Sequence, residues 1–407
     1  MIFLAEKHSC TGCSSCTNIC NHNAINMLAD EEGFLQPQID RDICVECGLC
    51  TKSCPILSPH HYRYLNKKEQ IAYALISYKD RTLSSSGGAF SVFARYVLSE
   101  GGTIYGAIID DKFNVYHIRA INMEEIAKIR GSKYVQSSLR YSYRSVKEDL
   151  KAGLKVLFTG TPCQVAGLYA YLGKNKYQTQ LITLDLVCHG VPSQGYFKSY
   201  LKKLETTTGH KLKAFRFRKL DSWSIVPAIQ FAETERWRNL EQEKNAFMTA
   251  FFNKSIFREC CYQCHYSNMN RVGTFTIADY WGIGSQGIPF KKNIAAGVSL
   301  VIDNQGMMPN LITHLEKYAY IEERPLEECK AKNHNLNAPS ERPEERDGAV
   351  KDMLDKNMTL RNYAEKYHLI KKENLQYYLL KWTKDIIYAL RIYNVYKTIS
   401  YKLGKTS

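Results

Sequence analysis

Eight cysteines in the first 54 residues repeat one spacing: Cys10, Cys13, Cys16 and Cys20, then Cys44, Cys47, Cys50 and Cys54, each displaced by 34 residues. Two-residue gaps let three thiolates reach three corners of a cubane from one tight loop, while the three-residue gap sends the fourth away along a helix start. In paired motifs of this kind the fourth cysteine serves the other cluster. The spacing therefore predicts one 4Fe-4S cluster on Cys10, Cys13, Cys16 and Cys54, and a second on Cys44, Cys47, Cys50 and Cys20. Zinc sites usually separate two CxxC pairs by a longer span. A disulfide framework needs an oxidising compartment, and the opening MIFLAE is too short for a signal-peptide core. Pro55 follows Cys54 as the pattern expects, whereas Asn21 follows Cys20. Proline shapes the turn and ligates nothing, so binding is expected in both halves.

Four further cysteines stand where packing does not require them. Cys163 lies in GTPCQ after the strand KVLF, Cys188 ends LITLDLV at CHGVP, and Cys261 and Cys264 form a CxxC in FRECCYQCHY. Two strand-end thiolates and a CxxC can converge on a third cubane. Equally, strand-end cysteines serve as small hydrophobes, and a CxxC can be a redox pair or half of a zinc site. Cys260 and Cys329 read as ordinary thiols.

Phosphate-cradling candidates lie nearby. SSSGGAF (84–90) puts hydroxyls and two glycines ahead of a helical segment, whose backbone amides and positive end suit a pyrophosphate. GSKYVQS (131–137) offers Lys133 as a cation and Gln136 as a donor to an isoalloxazine edge. Each is also what a simple turn or helix cap looks like. The GxGxxG of Gly282, Gly284 and Gly287 is followed by IPFKKN instead of a helix, so it reads as a glycine-rich active-site loop and not as a dinucleotide fingerprint.

Together, SSSGGAF, GSKYVQS, GTPCQVAGL, VCHGVPS and CYQCHYSNMNRVGTFTIADYWG resemble the coenzyme F-420 hydrogenase/dehydrogenase beta-subunit family, in that family's order across roughly residues 70 to 300. The resemblance implies FAD in an α/β domain and an adjacent 4Fe-4S cluster on Cys163, Cys188, Cys261 and Cys264. It also implies flavin contacts from Ser86, Gly87, Gly88, Lys133, Gln136, Thr161 and Gln164. Where relatives commonly read ADxxxGDxWG, this chain has Thr274 for an acid and Ala278 for a glycine, while Asp279, Trp281 and Gly282 keep the remainder. The changes are expected to bear on substrate fit more than on the flavin. Relatives with the same fusion are associated with bacterial surface-polysaccharide synthesis and with pigment reduction.

These residues need elements to carry them. Residues 1–57 read as a ferredoxin-like 2[4Fe-4S] module with a hairpin between Ile25 and Ile39, and a polar linker spans Ser58 to Glu69. Residues 70–205 alternate strands with helices: Ile71–Tyr78, Thr103–Ile109, Val115–Arg119, Lys155–Phe158 and Gln180–Val187 as strands, Gly88–Leu98, Gln164–Tyr171 and Gln194–Leu204 as helices. Strand content rises in residues 206–335, which hold the CxxC. Residues 340–407 read as a helical basic tail. The expected fold is a small ferredoxin-like module, a mixed-sheet α/β flavin-binding domain and that tail, an α+β and α/β combination.

At 407 residues, 44% of them apolar, the chain can build two or three cores. No run approaches the roughly 18 apolar residues that span a bilayer. The formal charge of +15 suits an acidic partner. Nucleic acid is not expected, because the basic residues are spread out and no reader motif is present. The interleaved aromatic and basic residues of Gln376–Leu403 suit either a docked helix or peripheral membrane contact. The expectation is a cytoplasmic iron-sulfur flavoprotein oxidoreductase. It would exchange electrons with ferredoxin or another redox protein, and hydride with a small molecule, either deazaflavin coenzyme F-420 or a surface-polysaccharide precursor. His189 could protonate the acceptor or serve as a supporting or core histidine, and Asp279 could contact flavin or substrate or make a strand-end hydrogen bond; neither has a committed catalytic role. The alternative is an electron-transfer subunit that relays between a partner enzyme and a carrier, with no substrate of its own. A radical enzyme using S-adenosylmethionine is excluded by the absence of CxxxCxxC.

Overall fold

Apolar runs of five to seven residues separated by amphipathic stretches become strands and helices of one large layer in the computed structural model, which describes residues 2–59, 69–173, 177, 179–220 and 223–370. Most of the expected linker and the segment Gln376–Leu403 lie outside the described residues. Eight strands form a mixed sheet: β3 (Ile71–Ser77), β4 (Thr103–Ile109), β5 (Val115–Ala120), β6 (Val156–Gly160), β7 (Leu181–Leu186), β11 (Phe275–Asp279), β12 (Ser299–Asp303) and β13 (Ala319–Arg324). Their order is β13-β3-β12-β11-β7-β6-β4-β5. Strands β4, β6, β7 and β11 run parallel at its centre, and antiparallel strands finish both edges. Central strands are buried on both faces, which is why they read as continuous apolar runs and not as alternating ones.

Helices cover both faces. On one side α3 (Ala89–Ser99), α4 (Met123–Ile129) and α9 (Met308–Leu315) bury Val92, Phe93, Ile126 and Leu311. On the other, α5 (Ser142–Lys151) and α6 (Pro162–Leu172) bury Tyr143, Val146, Val165 and Leu168. Local sequence sets their starts. The Asn122 side chain accepts from the Glu125 amide ahead of α4, Ser193 accepts from the Tyr196 amide ahead of α7 (Gln194–Thr208), and Pro162 opens α6.

A second core lies around α7. The three-stranded sheet of β8 (Leu212–Arg216), β9 (Ala228–Phe231) and β10 (Trp237–Asn239) packs there with α8 (Ala246–Phe252), α11 (Arg346–Leu354) and α12 (Leu360–Lys366). Ala349, Met353, Leu360 and Tyr363 are buried in it, so the chain between 340 and 370 is part of a core. Helix α8 stops at Phe252, and the chain then turns towards the cysteine run. Among the described residues no helix is long and apolar enough to cross a membrane.

The first 59 residues form α1 (Ser15–Ile19), α2 (Leu49–Lys52) and the hairpin β1 (Ile25–Ala29) with β2 (Leu35–Ile39), registered Ile25 to Ile39. This module is seated on the larger domain through close contacts. A Cβ on Gly33 would stand 2.6 Å from the Cα of Gly195, and one on Gly167 would stand 3.0 Å from the Sγ of Cys13. Arg144 donates to the carbonyls of Thr17, Asn18 and Cys20. Arg346 grips Glu32 through both carboxylate oxygens and also donates to the carbonyl of Phe257.

Candidate redox site

The C-terminal ends of β6, β7 and β11 point to one side of the sheet, where a parallel α/β layer opens its crevice. Cys163 follows β6, Cys188 follows β7, and Asp279 ends β11. Residues after these strands line a cavity of about 1300 Å³. Ligand sites usually measure roughly 300–1,000 Å³, so there is room for more than one ligand.

Of the seven residues expected to touch flavin, Ser86, Gly88, Lys133, Gln136, Thr161 and Gln164 line the cavity. Gly87 does not. A Cβ there would meet the Leu75 carbonyl at 2.1 Å and the Ser299 amide at 2.3 Å, so its glycine is needed for packing against β3 and β12. Gly88, at φ 92, turns the chain into α3. The Ser132 amide donates to Ser85 Oγ at 2.9 Å, which holds the two expected phosphate-binding loops face to face.

Several of these side chains are already committed. Lys133 Nζ donates to the carbonyls of Lys128, Ile129 and Arg130, at 3.0, 2.5 and 3.0 Å, closing the C-terminal end of α4. Burial pulls its ammonium down to about 7, against carbonyl acceptors and a helix end that favour the charge. Gln136 donates to the Thr11 carbonyl at 2.9 Å and accepts from Arg258 at 3.1 Å. Gln164 accepts from the Thr161 amide and donates to Ser137. Ser137 Oγ lies 3.1 Å from His117 Nδ1, whose Nε2 lies 2.9 Å from the Thr159 carbonyl. Burial lowers His117 to about 4, leaving a neutral imidazole that donates from Nε2 and accepts at Nδ1.

The cysteines fall into groups. All fourteen are free thiols. Cys10, Cys13, Cys16 and Cys54 line one small apolar chamber, so the fourth thiol of the second repeat lies beside three of the first. Cys44, Cys47 and Cys50 occupy the other loop, and Cys20 ends α1, which packs on α2. A third chamber is lined by Cys163, Cys188, Cys260, Cys261 and Cys264. Cys260 is the unexpected member, hydrogen-bonded to Cys261 in a contact that pulls the Cys260 thiol down and lifts that of Cys261.

Burial pushes Cys16 and Cys188 up to about 12 and raises Cys13 and Cys163 as well. Such chambers hold thiolates only when a cationic centre supplies the charge, which fits iron. Among the described residues no three His, Cys, Asp or Glu stand close enough for a single metal ion. Zinc would need its sulfurs about 2.3 Å from one point, whereas cubane ligands sit on separate irons.

Cys163 and Cys188, with His189, Gly190 and Val191, line both the third chamber and the large cavity. Cys163 and Gly167 are one turn of α6 apart, about 6 Å of rise, and Cys13 packs on Gly167. The third chamber and the cavity therefore meet at the first turn of α6, and Cys13 of the first chamber packs one turn further on.

Sequence reasoning missed the arginines that fasten this arrangement. Arg258, 2% exposed, donates to the carbonyls of Cys10 and Leu35 and to Gln136. Only its position beside the cysteine run could have flagged it. Arg271 and Asp185 form a buried pair at 2.9 Å, and Asp185 also accepts from the amides of Val272 and Gly273. They tie the CxxC loop to β7. Asp279 accepts from Arg218 and from Trp223 Nε1, both at 2.6 Å, and Trp223 stacks on Trp281 at 4.7 Å and 7°. This strand-end role occupies both carboxylate oxygens of Asp279. His189 lines both the cavity and the third chamber, and its pKa is lowered, by burial first, with Asp279 opposing.

Two expectations are corrected. Thr274 does not line the cavity; it pairs with Thr183 between β7 and β11, so that departure bears on strand packing, while Ala278 does line it. Gly282, Gly284 and Gly287 are outside the cavity lining, with the Gly284 amide donating to Glu328 of α10 (Leu326–Lys330).

The fold and site thus define a dicluster module seated on an α/β cavity domain, and known proteins match both parts. Residues 9–56 match the family described as 4Fe-4S dicluster domain. Residues 153–329 match the family described as the C terminus of the coenzyme F420 hydrogenase/dehydrogenase beta subunit. The resemblance read from the motifs is borne out. The coenzyme F420-dependent sulfite reductase of Methanocaldococcus jannaschii is 29% identical over 167 residues, which cover 40% of this chain and 25% of that protein. The chain therefore spans only about a quarter of the length of that relative. A solved chain of the F420-reducing [NiFe] hydrogenase complex from Methanosarcina barkeri is 16% identical, with a TM-score of 0.45 over 74% of this chain and 97% of that one.

Proposed function

We propose that the protein is an iron-sulfur flavoprotein oxidoreductase that exchanges single electrons with a redox protein and a hydride equivalent with a small organic molecule. The observation that carries this reading is the shared wall: Cys163 and Cys188 face both the third cysteine chamber and the large cavity. Flavin, when bound, interconverts two-electron and one-electron chemistry, and 4Fe-4S clusters carry one electron each.

The chain's own residues make the fit. Ser86, Gly88, Lys133, Gln136, Thr161 and Gln164 are the wall we assign to FAD, joined by Ser84, Ser85 and Ser132 for its phosphates. Cys10, Cys13, Cys16 and Cys54 would hold one cluster, Cys20, Cys44, Cys47 and Cys50 a second, and Cys163, Cys188, Cys261 and Cys264 a third. His117, Ser137 and Gln164 keep the cavity floor in one hydrogen-bonded arrangement, so little polar reorganisation is needed when a ligand arrives. Arg258 and Arg271 fix the cysteine loops against the module and the sheet. Trp223, Trp281 and Lys219 of the same lining, with Trp223 bordering Ser86 and Arg218 held by Asp279, suit a planar anionic partner. The F420-dependent relative supports a deazaflavin over a polysaccharide precursor.

Anaerobic purification with flavin extraction and iron counting tests the reading. One FAD with about twelve irons, four per cubane, supports it. About eight irons without flavin defeats it in favour of an electron relay, and reduction of coenzyme F-420 by the holoprotein identifies the acceptor.

A further inference from the structure

The dicluster module is charged opposite to the rest of the protein. Residues 1–57 hold seven Asp and Glu against three Lys and Arg, in a chain of formal charge +15. Two of those cations have acidic neighbours inside the module. Lys7 pairs with Asp30 at 3.4 Å and with Glu31, and Arg41 stands 4.0 Å from Glu46.

The acidic excess gathers beside the second cysteine set. Asp40, Asp42 and Glu46 are exposed on the loop that runs through Cys44 and Cys47, and Cys47 is itself exposed. The same loop turns apolar side chains to solvent: Ile43 is 47% exposed, Val45 58% and Leu49 37%. Phe3, 67% exposed, borders them, because its carbonyl accepts from Thr51 Oγ1 at 3.3 Å. Another side of the module is already covered by Arg144, Arg258 and Arg346 of the larger domain. Arg41 and Lys52 are also exposed in this region, so the rim is acidic only in excess, with three carboxylates to two cations, and neighbouring large apolar side chains inside such a rim have the anatomy of a protein interface. The rim gives its partner the opposite sign.

We propose that Phe3, Ile43, Val45 and Leu49, rimmed by Asp40, Asp42 and Glu46, dock a redox protein that carries lysines or arginines around its own cofactor. This rests on reading the module as an iron-sulfur electron carrier, and it goes beyond that reading by fixing the face and the charge of the partner. An acidic carrier is repelled at this face and is not the partner.

The test uses anaerobically isolated holoprotein whose iron content is measured first. Binding to cytochrome c, a basic redox probe, and to an acidic ferredoxin is followed by calorimetry at low and high salt. Cytochrome c binding is expected to weaken as salt rises, and the Asp42→Lys, Glu46→Lys double variant to lose about tenfold in affinity at low salt. Val45→Ser is expected to weaken cytochrome c binding several-fold at both salt levels. With iron content equal to wild type, a double variant that binds cytochrome c as tightly as wild type overturns the proposal. So does an acidic ferredoxin whose binding the double variant weakens. A wild-type protein without iron defeats the proposed function itself, an outcome distinct from iron-loaded protein that ignores these charges.

Discussion

At the scale of single residues, burial decides chemistry more than residue type does. His117 is held neutral between Ser137 and Thr159, with its pKa lowered to about 4. The unfolded chain takes up a proton near the ordinary value of about 6.5, so between those two values the unfolded state binds more protons. Stability from this group is therefore complete above about pH 6.5 and falls as pH drops towards 4, with a loss of about 2 kcal/mol by pH 5. His117→Gln is expected to flatten that part of the pH profile of urea unfolding. A second residue-scale prediction separates neighbouring thiols. On the proposed assignment Cys261 shares a cubane with Cys264, so Cys261→Ser should cost about four irons per chain, while Cys260→Ser retains them. Iron counting and low-temperature electron paramagnetic resonance read both. Cys260 reads as an ordinary thiol because adjacency to a CxxC carries no spacing signal; only the folded chamber places it beside the other four.

At the scale of elements, α6 does two jobs. Its first turn presents Cys163 to the third chamber, and one turn later Gly167 leaves room for Cys13. A Cβ on Gly167 would stand 2.9 Å from Tyr143 Oη and 3.0 Å from Cys13 Sγ. Gly167→Ala is thus expected to cost about 1–3 kcal/mol by overpacking, read as an earlier denaturant midpoint together with partial loss of iron from the module. The hairpin of β1 and β2 is held from the other end of the chain, where Arg346 binds Glu32 and the Phe257 carbonyl. Arg346→Ala leaves Glu32 without its cation and should cost on the order of 3 kcal/mol, measured by anaerobic denaturant unfolding. Much of the element pattern was legible beforehand. Ile71–Tyr78 and Gln180–Val187 read as strands because strands covered on both faces are apolar throughout, antiparallel as β3 or parallel as β7, and the glycine pair before Phe90 marked the start of α3. Strand content in residues 206–335 was legible too, but the pairing of β8, β9 and β10 into a separate sheet and the return of β12 and β13 to the main sheet were not, because register between segments far apart in sequence leaves no local pattern.

At the scale of the whole molecule, the cysteine spacing announced thiol groups but not their order in space. The crossed grouping of Cys54 with Cys10, Cys13 and Cys16 follows from the repeat, and the structure places those four around one chamber. What spacing could not give is that this chamber is beside α6, while the acidic loop of Cys44 and Cys47 faces outward. Arg144, Arg258 and Arg346 set that orientation from positions that look like ordinary surface cations in the sequence. Nor could it show that the cavity exceeds ordinary single-ligand size, with cysteines at one wall and two stacked tryptophans at another. If the flavin takes the wall of Gln136 and Gln164, the tryptophan pair, which borders Ser86, remains for the organic partner. Trp223 is held by Asp279 and shares its ring face with Trp281. Removing it should leave flavin and iron content unchanged while taking away stacking worth about 0.5–1.5 kcal/mol. Trp223→Ala is accordingly expected to raise KM for coenzyme F-420 about two- to tenfold with kcat largely retained, the pattern of lost ground-state binding. A fall in kcat with KM unchanged would instead place Trp223 against the reacting ring, and loss of flavin would move the FAD to the tryptophan end of the cavity.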